Sequence, residues 1–209
     1  MKNHTNYFLA SLFFLVSCYP EMGKINLNPQ TSWILAGRLL KQSNAKEIIA
    51  IGVDGTLYRT EPNEQGYFGL ELPGNNTYAI HFITPIVAIL KYEDSKNIGM
   101  RDTLRLPPTT NHGSWLNLGQ IDIKEEDAFP TINPAIYLDF DKDGQSDFTD
   151  IDDQNDGLDD RYQRAETEQV IVCHYEDDDQ NVGRSTKIFL SSLYIHLKHG
   201  DQMGICKPQ

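Results

Sequence analysis

Thr60 to Phe82 reads T-E-P-N-E-Q-G-Y-F-G-L-E-L-P-G-N-N-T-Y-A-I-H-F. Glu61 to Gly66 is polar and ends in glycine, a turn. Beyond it Phe68, Leu70 and Leu72 share one face. Tyr78, Ile80 and Phe82 repeat the alternation before Pro85 breaks it. A period of two is the mark of a half-buried strand. Working outward, Trp33 to Gly37, Ile48 to Val53 and Leu57 to Thr60 read as strands, with a hairpin signal at Asp54-Gly55. Downstream, Ile86 to Leu90, Thr103 to Leu106 and Leu116 to Ile123 continue the pattern. About seven short strands between turns predict a mainly β chain with a β-sandwich over residues 31–128.

The quoted string resembles the carboxypeptidase regulatory-like, or transthyretin-like, family. There a polar turn with a glycine precedes an aromatic strand, and a proline turn leads to a second strand. The resemblance implies a scaffold without catalytic residues. His81 alternates out of the apolar face and is expected at the surface. Trp115, near Gly113, is expected to pack, a sugar platform being the alternative for it and for Trp33. No G-x-S-x-G, H-E-x-x-H or phosphate loop occurs. The expectation is therefore a protein that is not an enzyme.

Asp139 to Asp160 reads D-F-D-K-D-G-Q-S-D-F-T-D-I-D-D-Q-N-D-G-L-D-D. Ten of its 22 residues are Asp, against one Lys. The spacing is that of a loop around a hard cation. Asp139, Asp141, Asp143, Asp147 and Asp150 fall at positions 1, 3, 5, 9 and 12, Gly144 at the turn, and the Gln145 carbonyl at position 7. A second loop shares Asp150 and adds Asp152, Asp156 and Asp160, with Gly157 at its turn. Ca²⁺ takes six to eight oxygens, which such spacing supplies. Back-to-back loops sharing an acidic residue resemble thrombospondin type 3 repeats, which implies calcium binding over residues 129–165. The expected role is a calcium-stiffened spacer that fixes how its neighbours face each other.

The chain has a net charge of −12, and a third of its 30 acidic residues lie in this block. The acidity is local, and it argues against nucleic acid as a partner.

Lys2 is followed by an apolar run from Tyr7 to Val16, too short to span a bilayer as a stable helix. It ends in Leu15-Val16-Ser17-Cys18, which resembles the lipobox of bacterial lipoproteins. That resemblance implies a signal peptide over residues 1–17, a lipid on Cys18 and a membrane partner reached through it. Residues 18–30 read as a tether. Tyr19 follows the cysteine, so the default is the cell envelope at the outer membrane. Extracellular calcium modules work at roughly 10⁻⁴–10⁻³ M, which suits that compartment.

Residues 166–209 form the last unit, read as strand, loop, strand and short helix, a small α+β module. Ser191 or Ser192 can cap the helix and Gly200 can end it. His196 and His199 are three apart and share a face. Cys173-His174 and the terminal Cys206 complete the set. In an oxidising compartment a Cys173–Cys206 bridge would contribute roughly 3–4 kcal/mol by chain entropy. The competing reading gathers Cys and His around Zn²⁺. A hybrid keeps the bridge and leaves the metal to His174, His196 and His199, with Asp201. The segment also resembles a Cys-His…His-x-x-His-Gly-Asp…Cys module that ends many secreted bacterial proteins, although Tyr175-Glu176-Asp177 stands where that module has Pro-Pro-Gly.

Taken together, the expected function is a calcium-binding, lipid-anchored envelope protein with a binding or structural role and an unidentified protein or glycan ligand. The alternatives are a zinc-dependent hydrolase at the C-terminal histidines and a carbohydrate-binding surface protein.

Overall fold

The computed structural model describes residues 32–40, 43–95, 99–109, 114–153, 155–159, 168–175 and 183–207. Cys18 and Asp160 lie outside them, as do the signal peptide and the tether.

The chain is mainly β. Its strands are β1 (Ser32–Leu39), β2 (Glu47–Gly52), β3 (Leu57–Thr60), β4 (Tyr67–Pro73), β5 (Asn76–Ile83), β6 (Ala88–Leu90), β7 (Tyr92–Ser95), β8 (Gly99–Arg101), β9 (Leu104–Leu106), β10 (Ser114–Lys124) and β11 (Asp127–Pro130). Nine of these form one hydrogen-bonded sheet in the order β3-β2-β5-β6-β11-β10-β1-β4, with β9 also pairing β5. β7 and β8 make a separate hairpin. The β1–β10 and β11–β6 pairs are parallel. β11 had no clear alternation and was not expected. It carries the sheet to Pro130, two residues beyond the predicted boundary.

Alternation does what the sequence implies on one face. Phe68, Leu70 and Leu72 of β4 meet Tyr78, Ile80 and Phe82 of β5 in a large core with Leu35, Ile48, Leu104 and Leu116. Gly37 sits opposite Phe68, and a Cβ there would lie 2.8 Å from the Phe68 ring. The missing side chain is what lets that ring lie over the strand.

The other face of β2 and β5 is covered too. Ile49, Ile51 and Ala79 form a second apolar cluster with Val170, Val172, Leu190 and Leu193. These last four belong to the C-terminal unit of β12 (Gln169–Tyr175), β13 (Gly183–Phe189), α1 (Leu193–His199) and β14 (Gln202–Met203). That unit therefore packs directly on the sheet. The two units thus touch directly, besides being joined through the Asp-rich segment expected to fix how they face each other. The uninterrupted I-I-A-I of β2 is the local signature of a strand buried on both faces.

His81 is corrected by this contact. Its side chain does alternate out of the main core, but the face it enters is covered, and it is fully buried. Its Nε2 lies 2.9 Å from the Ser191 carbonyl. A carbonyl only accepts, so the ring proton sits on Nε2. Trp115 goes the opposite way: expected to pack, it is 60% exposed. Trp33 is partly buried and donates from Nε1 to the Pro107 carbonyl at 2.8 Å.

The segment that carries the Asp residues packs on the main core. Ala135 and Leu138 are buried in the main core, and Phe148 packs against it. Phe140 lies beneath the Arg105 guanidinium, 3.7 Å from its ring centroid. Apolar residues set between the acidic ones thus fold the segment against the sheet.

Candidate metal centres

The Asp-rich loops are built from short side chains that bond their own backbone. Asp139 Oδ2 accepts from Gly144 N, Asp141 Oδ1 from Asp143 N, and Asp143 Oδ1 from Gln145 N. The last two are the Asx turns that Asp favours outside helices, and the first closes the loop across five residues. The same turn recurs thirteen residues on. Asp152 Oδ2 accepts from Gly157 N and Asp156 Oδ1 from Leu158 N. Backbone conformation repeats as well: Lys142 and Gly144 are left-handed in the first loop, Asn155 and Gly157 in the second. Glycine adopts that conformation without strain, which explains why Gly144 and Gly157 stand at the turns.

The first loop brings together the carboxylates of Asp139, Asp141 and Asp143, whose oxygens lie within 4.8 Å of one another. Asp139 Oδ1 and Asp141 Oδ2 are buried and have no hydrogen-bond donor among the described residues. Three acceptor-only groups this close repel. The Asp143 N–H acts to lower the Asp141 pKa, but burial and the charges of Asp143, Asp150 and Asp139 push it up. Gln145, besides its backbone bond, donates Nε2 to Asp143.

Asp147 and Asp150 sit differently. Asp147 is buried and its Oδ1 accepts from Phe140 N at 2.9 Å. Burial pushes its pKa up to about 7, against the lowering effect of that backbone bond. Asp150 is buried and accepts from Ile151 N and Asp152 N.

Beside the loops lies a cluster that sequence reading missed. Arg101 is buried, with Nη2 2.7 Å from Asp94, Nη1 3.8 Å from Asp153 and Nε 3.7 Å from Glu168. Thr103 Oγ1 donates to Glu168 at 2.7 Å. The guanidinium joins three parts of the chain: the β7–β8 hairpin, the second Asp loop and the residue that enters β12. Only the fold brings them together, and no spacing in the sequence marks the set.

The C-terminal unit gathers the second group. Cys173 and Cys206 are disulfide-bonded, with Cα atoms 4.8 Å apart. α1 begins after a short 3-10 turn at Leu190–Ser192. The expected serine cap is corrected: Ser192 occupies the cap position, but its hydroxyl donates to the Phe189 carbonyl. Gly200, left-handed, ends α1 and turns the chain so that Asp201 comes back beneath His196.

Asp201 is the centre of this group. Its Oδ2 lies 2.8 Å from His174 Nδ1 and 2.6 Å from His196 Nδ1. Its Oδ1 accepts from Tyr175 N at 3.0 Å. Burial works to raise its pKa, but these hydrogen bonds outweigh it and hold the carboxyl down at about 2. The His174 and His196 rings meet edge to face with centroids 5.6 Å apart, and His199 stacks on His174 at 6.1 Å. The His174 and His196 side chains are 34% and 27% exposed.

No family model, curated protein or solved structure matches this chain. Function must be read from the two groups just described. Among the described residues, no helix is long and apolar enough to cross a membrane.

Proposed function

We propose that this protein binds Ca²⁺ through its Asp-rich loops and serves a binding or structural role in the bacterial cell envelope. The observation that carries this is the first loop, where three carboxylates converge and two buried oxygens lack a donor among the described residues. A hard divalent cation supplies the missing charge and satisfies oxygen ligands. Asp139, Asp141 and Asp143 form the first site, with Asp147, Asp150 and the Gln145 carbonyl closing in on loading. Asp150, Asp152, Asp156 and Asp160 form the second. The likeness to thrombospondin type 3 repeats supports the same reading.

Calcium here acts as a clamp. The second loop reaches Arg101 through Asp153, so neutralising the loops steadies the hairpin and the C-terminal unit together. The nine-stranded sheet serves as a sandwich-like scaffold of the carboxypeptidase regulatory-like kind. The lipobox-like tetrapeptide supports an outer-membrane anchor on Cys18.

Titration of the purified protein with Ca²⁺ against Mg²⁺ tests the metal. Saturable calcium binding that weakens in Asp141→Asn is expected. No heat and no thermal shift at millimolar Ca²⁺ would refute it. For the anchor, Cys18→Ala should abolish lipid labelling, and a mature N-terminus at Tyr19 or later would exclude it.

A hydrolase at the C-terminal histidines is less well supported. Asp201, the carboxylate beside them, is committed to three hydrogen bonds and is not placed as a free base. A glycan reading draws on the exposed Trp115, whose ring is open to stack on a sugar; a glycan array on the intact protein decides it.

A further inference from the structure

We propose that His174 Nδ1, His196 Nδ1 and Asp201 Oδ2 together hold one zinc ion, with water completing its coordination. This site does not rest on the calcium reading of the Asp-rich loops.

Three side chains bring one donor atom each to a common point. A nitrogen of His174, a nitrogen of His196 and an oxygen of Asp201 lie within 4.8 Å of one another. Both Nδ1 atoms approach the same Oδ2, at 2.8 and 2.6 Å. Rings that both direct Nδ1 at one oxygen turn their Nε2 atoms apart, so Nδ1 is the nitrogen that converges. His199 stacks on His174 and lies outside the set.

Without an ion, protons hold the three together. An ionised carboxylate only accepts, so each Nδ1 donates to Oδ2. One divalent cation can take the place of those two protons. Each neutral ring then carries its proton on Nε2, exchanged through solvent, and presents the Nδ1 lone pair to the metal. Two imidazole nitrogens and one carboxylate oxygen, with an open fourth position, make a zinc donor set. Tetrahedral zinc ligands at about 2.0–2.1 Å from the ion stand about 3.3 Å from one another. Loading therefore opens the 2.8 and 2.6 Å separations by about 0.5–0.7 Å. The partly exposed rings can turn by that much, whereas the carboxylate beneath them is fully buried.

The rest of the unit fixes the carboxylate. Tyr175 N donates to Oδ1 at 3.0 Å and leaves Oδ2 to face the rings, the outer hydrogen bond that orients a ligating carboxylate. Asp201 N donates to the His196 carbonyl, which ties the oxygen to α1. His174 follows the bridged Cys173, and α1 packs through Leu193 into the second apolar cluster. The bridge takes both sulfurs, so the donors are nitrogen and oxygen. That mixed set suits Zn²⁺, whereas Ca²⁺ takes oxygen alone.

The test is zinc titration of the purified protein with excess Ca²⁺ present, at about pH 7.5, above the ordinary imidazole pKa of about 6.5. Calorimetry and competition with a chromophoric chelator read the affinity. One Zn²⁺ per chain is expected. Imidazole ¹⁵N spectra distinguish the ion from the pair of protons: on loading, the protons of His174 and His196 should move from Nδ1 to Nε2. His174→Gln and His196→Gln should each weaken zinc by more than the roughly 10–100-fold that loss of an outer partner costs. Asp201→Asn should do the same while keeping an oxygen for Tyr175 N. Should that variant fail to fold, the two histidine variants carry the test. His199→Gln and Asp141→Asn should leave zinc unchanged, and the second separates this site from the Asp-rich loops whether or not those bind calcium. Absence of saturable binding, binding that survives His196→Gln, loss of binding in either control, or Nδ1 atoms still protonated in the zinc-saturated protein would overturn the proposal.

Discussion

The Arg101 guanidinium lies 3.8 Å from the Asp153 carboxylate, and both side chains are almost completely buried. One belongs to a hairpin beside the sheet, the other to an acidic loop fifty residues on. Burial opposes the charge on Arg101, but Tyr92, Asp94, Glu168 and Asp153 around it hold it ionised. Removing a partner from such a cluster leaves buried charges uncompensated. Arg101→Met should therefore destabilise the protein by about 3–5 kcal/mol. Urea unfolding followed by tryptophan fluorescence measures it. A change under 1 kcal/mol would mean that the acidic partners ionise independently of Arg101.

The disulfide has its own steric requirement. A Cβ on Gly183 would lie 2.5 Å from Cys173 Sγ and 2.9 Å from Cys206 Sγ. Gly183→Val should therefore prevent the bridge from seating and yield free thiols. Loss of the bridge itself should cost about 2–5 kcal/mol. A thiol count on the purified variant checks it; full oxidation with unchanged stability would show that β13 shifts to make room.

Much of the main core was legible because large apolar residues alternate with smaller or more polar ones along β4 and β5. Phe68, Leu70, Leu72, Tyr78, Ile80 and Phe82 alternate, and all six are in it. What covers the outer face of β2 and β5 was not legible. Ile49 and Ile51 mark that face as buried, but nothing near them in the sequence says which unit covers it, and Ala79 and His81 on β5 carry no such mark. Alternation gives the side of a strand, not what lies against it. The Asp spacing marked both loops, yet could not show that Asp147 turns inward to Phe140 N. The histidine spacing put His196 and His199 on one face, while the convergence of two rings on one Asp201 oxygen depends on the left-handed turn at Gly200.

His81 gives a pH dependence with a definite sign. Burial first, against the hydrogen bond to Ser191, lowers its pKa below 6.5 in the folded protein. The neutral ring's contribution is then fully present above pH 6.5 and is lost as pH falls toward the lowered folded value. Asp147 acts oppositely. Its carboxyl, held at about 7, favours the folded state as pH falls from about 7 toward 3.8. Total stability mixes the two effects. The difference between the native protein and His81→Gln isolates the histidine, and it should shrink between pH 7.5 and 5.5. Thermal melts at three pH values measure it. A constant difference would mean that His81 does not titrate differently on folding.

The calcium binding proposed for the Asp-rich loops predicts that one substitution has two opposite effects. Asp141 is crowded by Asp139, Asp143 and Asp150, and its pKa is raised despite the bond from Asp143 N. A raised carboxylate pKa favours the folded state at low pH, and that contribution is lost as pH rises through the folded value. At pH 7 without calcium, the ionised Asp141 therefore works against folding. Asp141→Asn removes that repulsion and keeps an oxygen to accept from Asp143 N. The variant should melt higher than the native protein in chelator. Calcium should then reverse the order. A cation that binds only the folded state at a hundred times its dissociation constant stabilises by about 2.7 kcal/mol, and the variant forfeits part of that gain with its lost charge. Melting curves of both proteins in chelator and in 5–10-fold steps of Ca²⁺ should cross. Curves that stay parallel would show that the converging carboxylates do not bind the ion.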